Sequence, residues 1–155
     1  MSDFIDKHHE AIIRLLQDQW GLVATITRLP GENINILVNV SGSNHAVLKI
    51  VDPSHSNLQL EQEVLNSLHV SGIPVPLVIL NINGLPFIET HFAGTALHAR
   101  LQNFLPGHAW GKVKSTPSLL FSIGSSIGHA HNALMNCLDV EQSHVNNSSW
   151  NLAKA

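Results

Sequence analysis

Cysteine is nearly missing from this chain. Cys137 stands alone among 155 residues, which excludes an internal disulfide and fits a reducing compartment. Charge is scarce as well: only 12% of residues are Asp, Glu, Lys or Arg, and a net charge of −3 with a pI near 6.4 offers no basic footprint to a nucleic acid. Long apolar runs are absent too. Pro74 to Leu80, among the longest, falls far short of the roughly 20 residues a membrane-spanning helix needs. The amino terminus sets Asp3, Asp6 and Glu10 among apolar residues, the wrong pattern for a signal peptide. These absences predict a soluble, cytoplasmic protein that engages neither membrane nor nucleic acid. What the chain does have is a hydrophobic fraction of 44%, enough at this length for one ordinary core.

Eleven histidines raise the question of a metal. His8 and His9 are adjacent, so on a helix they project about 100° apart, and His129 and His131 diverge likewise. No His-Glu-x-x-His pattern, second cysteine or carboxylate cluster completes a ligand set. Scattered surface and core histidines are the expectation, and no metal ligand is assigned.

Asp3 to Gln19 predicts an amphipathic helix, with Phe4/Ile5, His8, Ile12, Leu15/Leu16 and Gln19 recurring at three- and four-residue steps and Trp20-Gly21 closing it. Leu22 to Leu29, rich in β-branched residues, predicts a strand. After a turn through Gly31 to Asn33, residues Ile34 to Ser41 alternate with period two, and Ser41 to Asn44 turns the chain into a third strand, about His45 to Val51. Asp52-Pro53 ends this meander. A helix follows from about His55 to Val70, with Leu58, Glu61/Gln62, Leu65 and Leu68 on one face and Ser71-Gly72 as its stop. Pro74 and Pro76 enforce extended backbone before them, and Leu77–Leu80 with Leu85–Thr90 predicts a hairpin around Asn81 to Gly84. Beyond it, Phe92 to Thr95 reads as a connector, Ala96 to Phe104 as a short helix and Leu105 to Pro117 as a polar segment. Ser118 to Leu138 reads as a helix with Leu119/Leu120, Ile123, Ile127, Ala130/His131, Leu134 and Leu138 along one stripe.

Four features follow one another in an informative order: the turn-rich loop Leu29-Pro30-Gly31-Glu32-Asn33-Ile34-Asn35, the strand Val47-Leu48-Lys49-Ile50, the helical Glu61-x-x-x-Leu65-x-x-Leu68, and Ile73-Pro74-Val75-Pro76. A lysine between apolar strand neighbours either faces water on a sheet with one wet side or, if buried, needs a carboxylate and an anion nearby. Further along stand Phe92-Ala93-Gly94, Phe104-Leu105-Pro106-Gly107, Leu119-Leu120-x-x-Ile123-Gly124 and His131-Asn132-Ala133-Leu134. The ordered set resembles the amino-terminal lobe of the aminoglycoside phosphotransferase (choline kinase-like) superfamily. Within it, the chain most resembles the hydroxylysine kinase branch and the phosphotransferase domains fused to class-III aminotransferases. The resemblance covers nearly the whole chain, from Trp20 to Leu152.

That resemblance implies an α+β fold. Residues 1–90 would form a protein-kinase-like N-lobe, a five-stranded antiparallel sheet with one packed helix and the leading helix. Residues 91–155 would hold the interlobe linker and the first helices of a truncated helical C-lobe. ATP is the implied nucleotide, with Lys49 on its α- and β-phosphates and Glu61 as the partner of Lys49. Glu63, two residues on and facing another way, competes for that place. Gly31, Asn33 and Asn35 would lie over the phosphates with their backbone N–H groups, although Gly and Asn equally suit a plain hairpin turn. Glu89 to His91 would be the linker whose main chain pairs with adenine. Ile26, Ile36, Val47, Val75 and Ile88 would wall the base or fill the core.

The superfamily's His-Gly-Asp…Asn catalytic loop and its later metal-binding Asp do not occur. Asp52, Asp139 and Glu141 lie in no motif that supplies a base and two metal ligands. The implied function is an ATP-dependent phosphotransferase acting on a hydroxyl of a small molecule, present as its amino-terminal portion. No catalytic residue is assigned in this chain, and the Mg²⁺ ligands are expected outside it. The alternative is a non-catalytic kinase-like fragment that binds nucleotide or protein; a third reading is an α+β domain whose resemblance is structural only. Without a full helical lobe, the stripe of helix 118–138 would be uncovered and would favour self-association.

Overall fold

The computed structural model describes residues 3–31, 33–55, 58–108 and 110–135. The leading helix α1 spans Asp3–Trp20 and is followed by three strands, β1 (Thr25–Leu29), β2 (Ile34–Val40) and β3 (Ser43–Val51), paired antiparallel as a meander. A short 3-10 turn at Pro53–His55 leads to helix α2 (Leu58–Val70), and then come β4 (Val78–Ile79), β5 (Ile88–Phe92), β6 (Thr95–Asn103) and helix α3 (Pro117–Met135). The sheet order is β1-β2-β3-β6, with both β4 and β5 on the far side of β6. Antiparallel pairing throughout makes this an α+β fold, as expected.

Strand alternation divides the sheet into two unlike faces. Ile36, Val38, Ala46, Leu48, Ile50, Leu97, Ala99 and Leu101 all point to one face, where they pack with Ile5, Ile12, Leu16 and Trp20 of α1. Ile12 and Leu16 are completely buried, so the apolar stripe of α1 is what covers this face. α1 ends where Gly21 takes φ +66° and its N–H bonds Gln17 O, while Leu22 N–H reaches Leu16 O. Both tight hairpins close on two-residue turns with left-handed backbone, Ser41-Gly42 and Ala93-Gly94, the conformation that matches strand twist.

The edge of the sheet differs from the sequence reading. Leu77–Leu80 and Leu85–Thr90 do not pair with each other. Val78 and Ile79 pair with Gln102 and Leu101, and Ile88 to Phe92 pair with Ala99 to Thr95. β4 and β5 are thus one interrupted lane along β6, which makes five lanes from six strands. The excursion between them is held by Asn81, which is buried: its Oδ1 accepts from the N–H groups of Asn83 and Leu85, and its Nδ2 donates to Gln19 Oε1. Local hydrogen bonding of this kind substitutes for ladder bonds.

The second correction concerns Ala96 to Phe104, expected as a helix and found as the nine-residue strand β6, inside the sheet between β3 and the β4/β5 lane. Helix-forming residues such as Ala96, Leu97, Ala99, Arg100 and Leu101 are overridden here by burial on both faces. The expected boundary between 90 and 91 consequently falls inside β5, and Glu89 to His91 lie in the β5–β6 hairpin rather than in a linker. The chain leaves the sheet after Asn103, whose N–H bonds Leu77 O and whose Oδ1 accepts from Leu77 N–H.

α2 ends as expected at Ser71-Gly72, with Gly72 at φ +76° and Ile73 N–H bonded to Leu68 O. α3 starts at Pro117 behind a Thr116 cap whose Oγ1 accepts the Leu119 N–H, and it packs against α2. No α3 residue is fully buried; Leu120, Phe121, Ile127 and Met135 are exposed. Leu138, Asp139, Glu141 and the region to Leu152 lie outside the described residues.

Candidate functional site

Leu48 and Ile50 are committed to the core, so alternation delivers Lys49 to the opposite face of β3. Its direct cross-strand partners are Asn35 on β2 and Arg100 on β6, placing three polar side chains in one row. α2 brings Glu61, in its first turn, over this face. Lys49 Nζ donates to Glu61 Oε1 at 2.9 Å. Arg100 Nη2 is in ion-pair contact with the same oxygen. The expected lysine–glutamate pair is therefore present, and it holds a third member.

The three side chains differ sharply in access. Arg100 is 2% exposed, Lys49 20% and Glu61 37%. One carboxylate faces two cations, so the three charges sum to +1. Burial pushes the Glu61 carboxyl up, but the Lys49 hydrogen bond and charge, with the Arg100 charge behind them, outweigh it and hold the group below its ordinary value of 4.5. Arg100 adds to that hold through its charge and through its hydrogen-bonding contact with the carboxylate, from a side chain that is itself buried.

The other expected site residues divide between the row and the sheet edge. Asn35 adjoins Lys49 in the ladder, and its Nδ2 donates to Asn33 O, closing the loop that begins at Gly31. Gly31 suits that turn because its φ of +151° is a backbone conformation that L side chains rarely adopt. Glu32 lies outside the described residues. Glu63 accepts from Gln59 at 2.8 Å on the exposed side of α2 and takes no part in the pair. Glu89 and His91 sit in β5 opposite His98 and Ala96, exposed at the far edge. Of the expected base walls, Ile36 is in the core with Ile26 and Ile88 packed against it, on the face turned away from Lys49; Val47 shares the Lys49 face.

Arg100 was missed because its segment reads as helical by propensity. A readable pattern did exist, since Leu97, Ala99 and Leu101 alternate with His98, Arg100 and Gln102 directly behind Ala93-Gly94. Among the described residues, no group of three or more His, Cys, Asp or Glu side chains converges to hold a metal ion, and no helix is long and apolar enough to cross a membrane.

No protein-family model matches the chain. Over 126 residues it is 25% identical to a hydroxylysine kinase of Danio rerio, a match that takes 75% of this chain and 36% of that protein. In three dimensions it resembles a microcompartment-associated aminopropanol kinase, with TM-score 0.63, 18% identity and coverage of 79% of this chain and 40% of that one. It also resembles an amicoumacin kinase, solved with AMP-PNP, Ca²⁺ and Ami, with TM-score 0.60, 19% identity and coverage of 80% and 39%. The chain thus spans well under half the length of each of these relatives. It is similar in sequence to a hydroxylysine kinase and shares the fold of two small-molecule kinases, in keeping with the resemblance that its motifs carry.

Proposed function

We propose that this chain carries the nucleotide-holding part of an ATP-dependent small-molecule phosphotransferase. The observation behind this reading is the 2.9 Å Lys49–Glu61 pair on the sheet face that α1 leaves free. Phosphoryl transfer depends mainly on positioned charge, and a strand lysine fixed by a helix glutamate is a recurring way to hold nucleotide phosphates. Lys49 would contact the α- and β-phosphates, Glu61 would hold Lys49 in place, and Gly31, Asn33 and Asn35 would cover the phosphates with backbone N–H groups. The lobe boundary then follows Asn103. The stretch Phe104-Leu105-Pro106-Gly107, in place of Glu89 to His91, would be the linker beside the base.

Mg²⁺ has no complete ligand set in this arrangement, since Glu61 is already committed to two cations. The metal ligands and the catalytic carboxylate would come from a further segment or a second polypeptide. A non-catalytic kinase-like fragment that binds nucleotide or protein is the other reading. Similarity to the hydroxylysine and aminopropanol kinases suggests an amino alcohol as the class of substrate for the whole enzyme. The surroundings in which the chain works would be cytoplasmic.

Thermal unfolding with Mg-ATP tests the nucleotide site. At about ten times Kd the ligand stabilises by about 1.4 kcal/mol, a rise in Tm of about 3–6 °C. Lys49→Ala is expected to abolish the rise. No rise in the parent protein at millimolar Mg-ATP would defeat the nucleotide reading. Coding sequence for His-Gly-Asp…Asn directly downstream would decide for the kinase over the fragment.

Self-association through α3 belongs to the same reading, because Leu120 and Ile127, one heptad apart on the helix, are 47% and 64% exposed. Light scattering during size exclusion is expected to show oligomers that Leu120→Ser with Ile127→Ser converts to monomers. A parent protein monomeric at high concentration would contradict it.

A further inference from the structure

We infer that Arg100 is a positioning residue of the phosphate site: from β6 it anchors the Glu61 carboxylate independently of Lys49, and so leaves Lys49 charged and available to an anionic ligand. The ligand half of this inference rests on the nucleotide reading above. The anchoring half does not.

A lysine and a glutamate alone make a neutral pair, and the ammonium is drawn toward its own partner. Here a second cation meets the same oxygen. Arg100 is the direct ladder partner of Lys49, so the two side chains rise from neighbouring strands to one Glu61 oxygen. With Arg100 sharing the carboxylate, the trio keeps a charge of +1. That surplus is presented through Lys49, because Lys49 is 20% exposed and Arg100 only 2%. The guanidinium itself is closed off from any ligand. Its Nη2 meets Glu61 Oε1, so Glu61 is the counter-charge that the geometry offers it. A buried guanidinium in that position binds its carboxylate strongly, since separating them would leave a charge out of water. The strand therefore holds α2 down through Glu61 whether or not Lys49 is engaged.

Two measurements on the full chain test this. Without nucleotide, amide hydrogen exchange across Leu58–Val70 is expected to rise about tenfold in Arg100→Met relative to the core strands, and to stay within about twofold of the parent in Lys49→Met. Equal exchange in the two variants, or no change in Arg100→Met, overturns the anchor. Arg100→Gln gives the same comparison if the methionine variant does not fold. For the ligand half, Arg100→Met is expected to weaken Mg-ATP binding about tenfold in calorimetry while adenosine binding stays within about twofold. Arg100→Lys restores most of the loss, and Arg100→Met adds nothing in a Lys49→Met background. Equal losses for Mg-ATP and adenosine overturn the charge effect in favour of a packing role. A parent protein that binds no Mg-ATP defeats the nucleotide reading instead, and the exchange comparison still decides the anchor.

Discussion

Glu61→Gln is expected to destabilise the fold by about 3 kcal/mol, the low end of what removing one partner of a buried ion pair costs. The substitution keeps the shape and removes only the charge. What it strands is Arg100, 2% exposed and without another counter-charge among the three grouped side chains. Lys49→Met should cost only about 1 kcal/mol, because that ammonium is partly hydrated and its loss leaves Glu61 paired with Arg100. Replacing both charges, as Glu61→Leu with Arg100→Met, should return stability to within about 1 kcal/mol of the parent. Urea unfolding with a common m-value reads all three. Loss of less than about 1 kcal/mol in Glu61→Gln would show that Arg100 is neutralised elsewhere.

The same carboxylate sets an acid limit. Its folded pKa lies below the ordinary 4.5, so the folded state prefers the ionised form more than the unfolded chain does. The stabilisation is complete above the unfolded value and is lost as pH falls from about 4.5 through the folded value. Glu61→Gln should therefore flatten the stability profile below pH about 4.5 and leave its neutral limb parallel to the parent.

Trp20→Ala is expected to cost about 4 kcal/mol, within the range for deleting a core aromatic. Trp20 is 8% exposed at the last turn of α1, and its indole N–H donates to Ile79 O at 3.0 Å. It therefore contributes packing on the sheet face and a hydrogen bond to the short β4 segment. Trp20→Phe isolates the second contribution at about 1 kcal/mol. Chemical denaturation measures both, and proteolysis near residues 80–87 should rise in Trp20→Ala, because Ile82 N–H also bonds Gln19 O at the same helix end. If Trp20→Ala loses under about 2 kcal/mol, α1 is not integral to the core.

Local chemistry made the amino-terminal half legible. The stripe of α1 matched the observed core residues Ile5, Ile12 and Leu16, and period-two alternation placed β2 and β3 to within about two residues. Lys49 and Glu61 were legible for the same reason, since each stands in a strongly patterned segment. β6 was not. Its residues favour helix when taken locally, and although β5 joins it through the turn at Ala93-Gly94, β3 on its other side and the β4 segment lie further back in the chain. Likewise Leu77–Leu80 and Leu85–Thr90, adjacent in sequence, suggest partners of each other, while their ladder lies across β6.

By itself, then, the order of residues determined that α1 has one apolar stripe, that β1 to β3 form a meander, and that one lysine and one glutamate stand where a pair is possible. Only the assembled sheet decided that Arg100 joins them. Which side chains share a face depends on register between strands dozens of residues apart, and that register follows from burying Leu97, Ala99 and Leu101 against α1, a contact that no local pattern encodes.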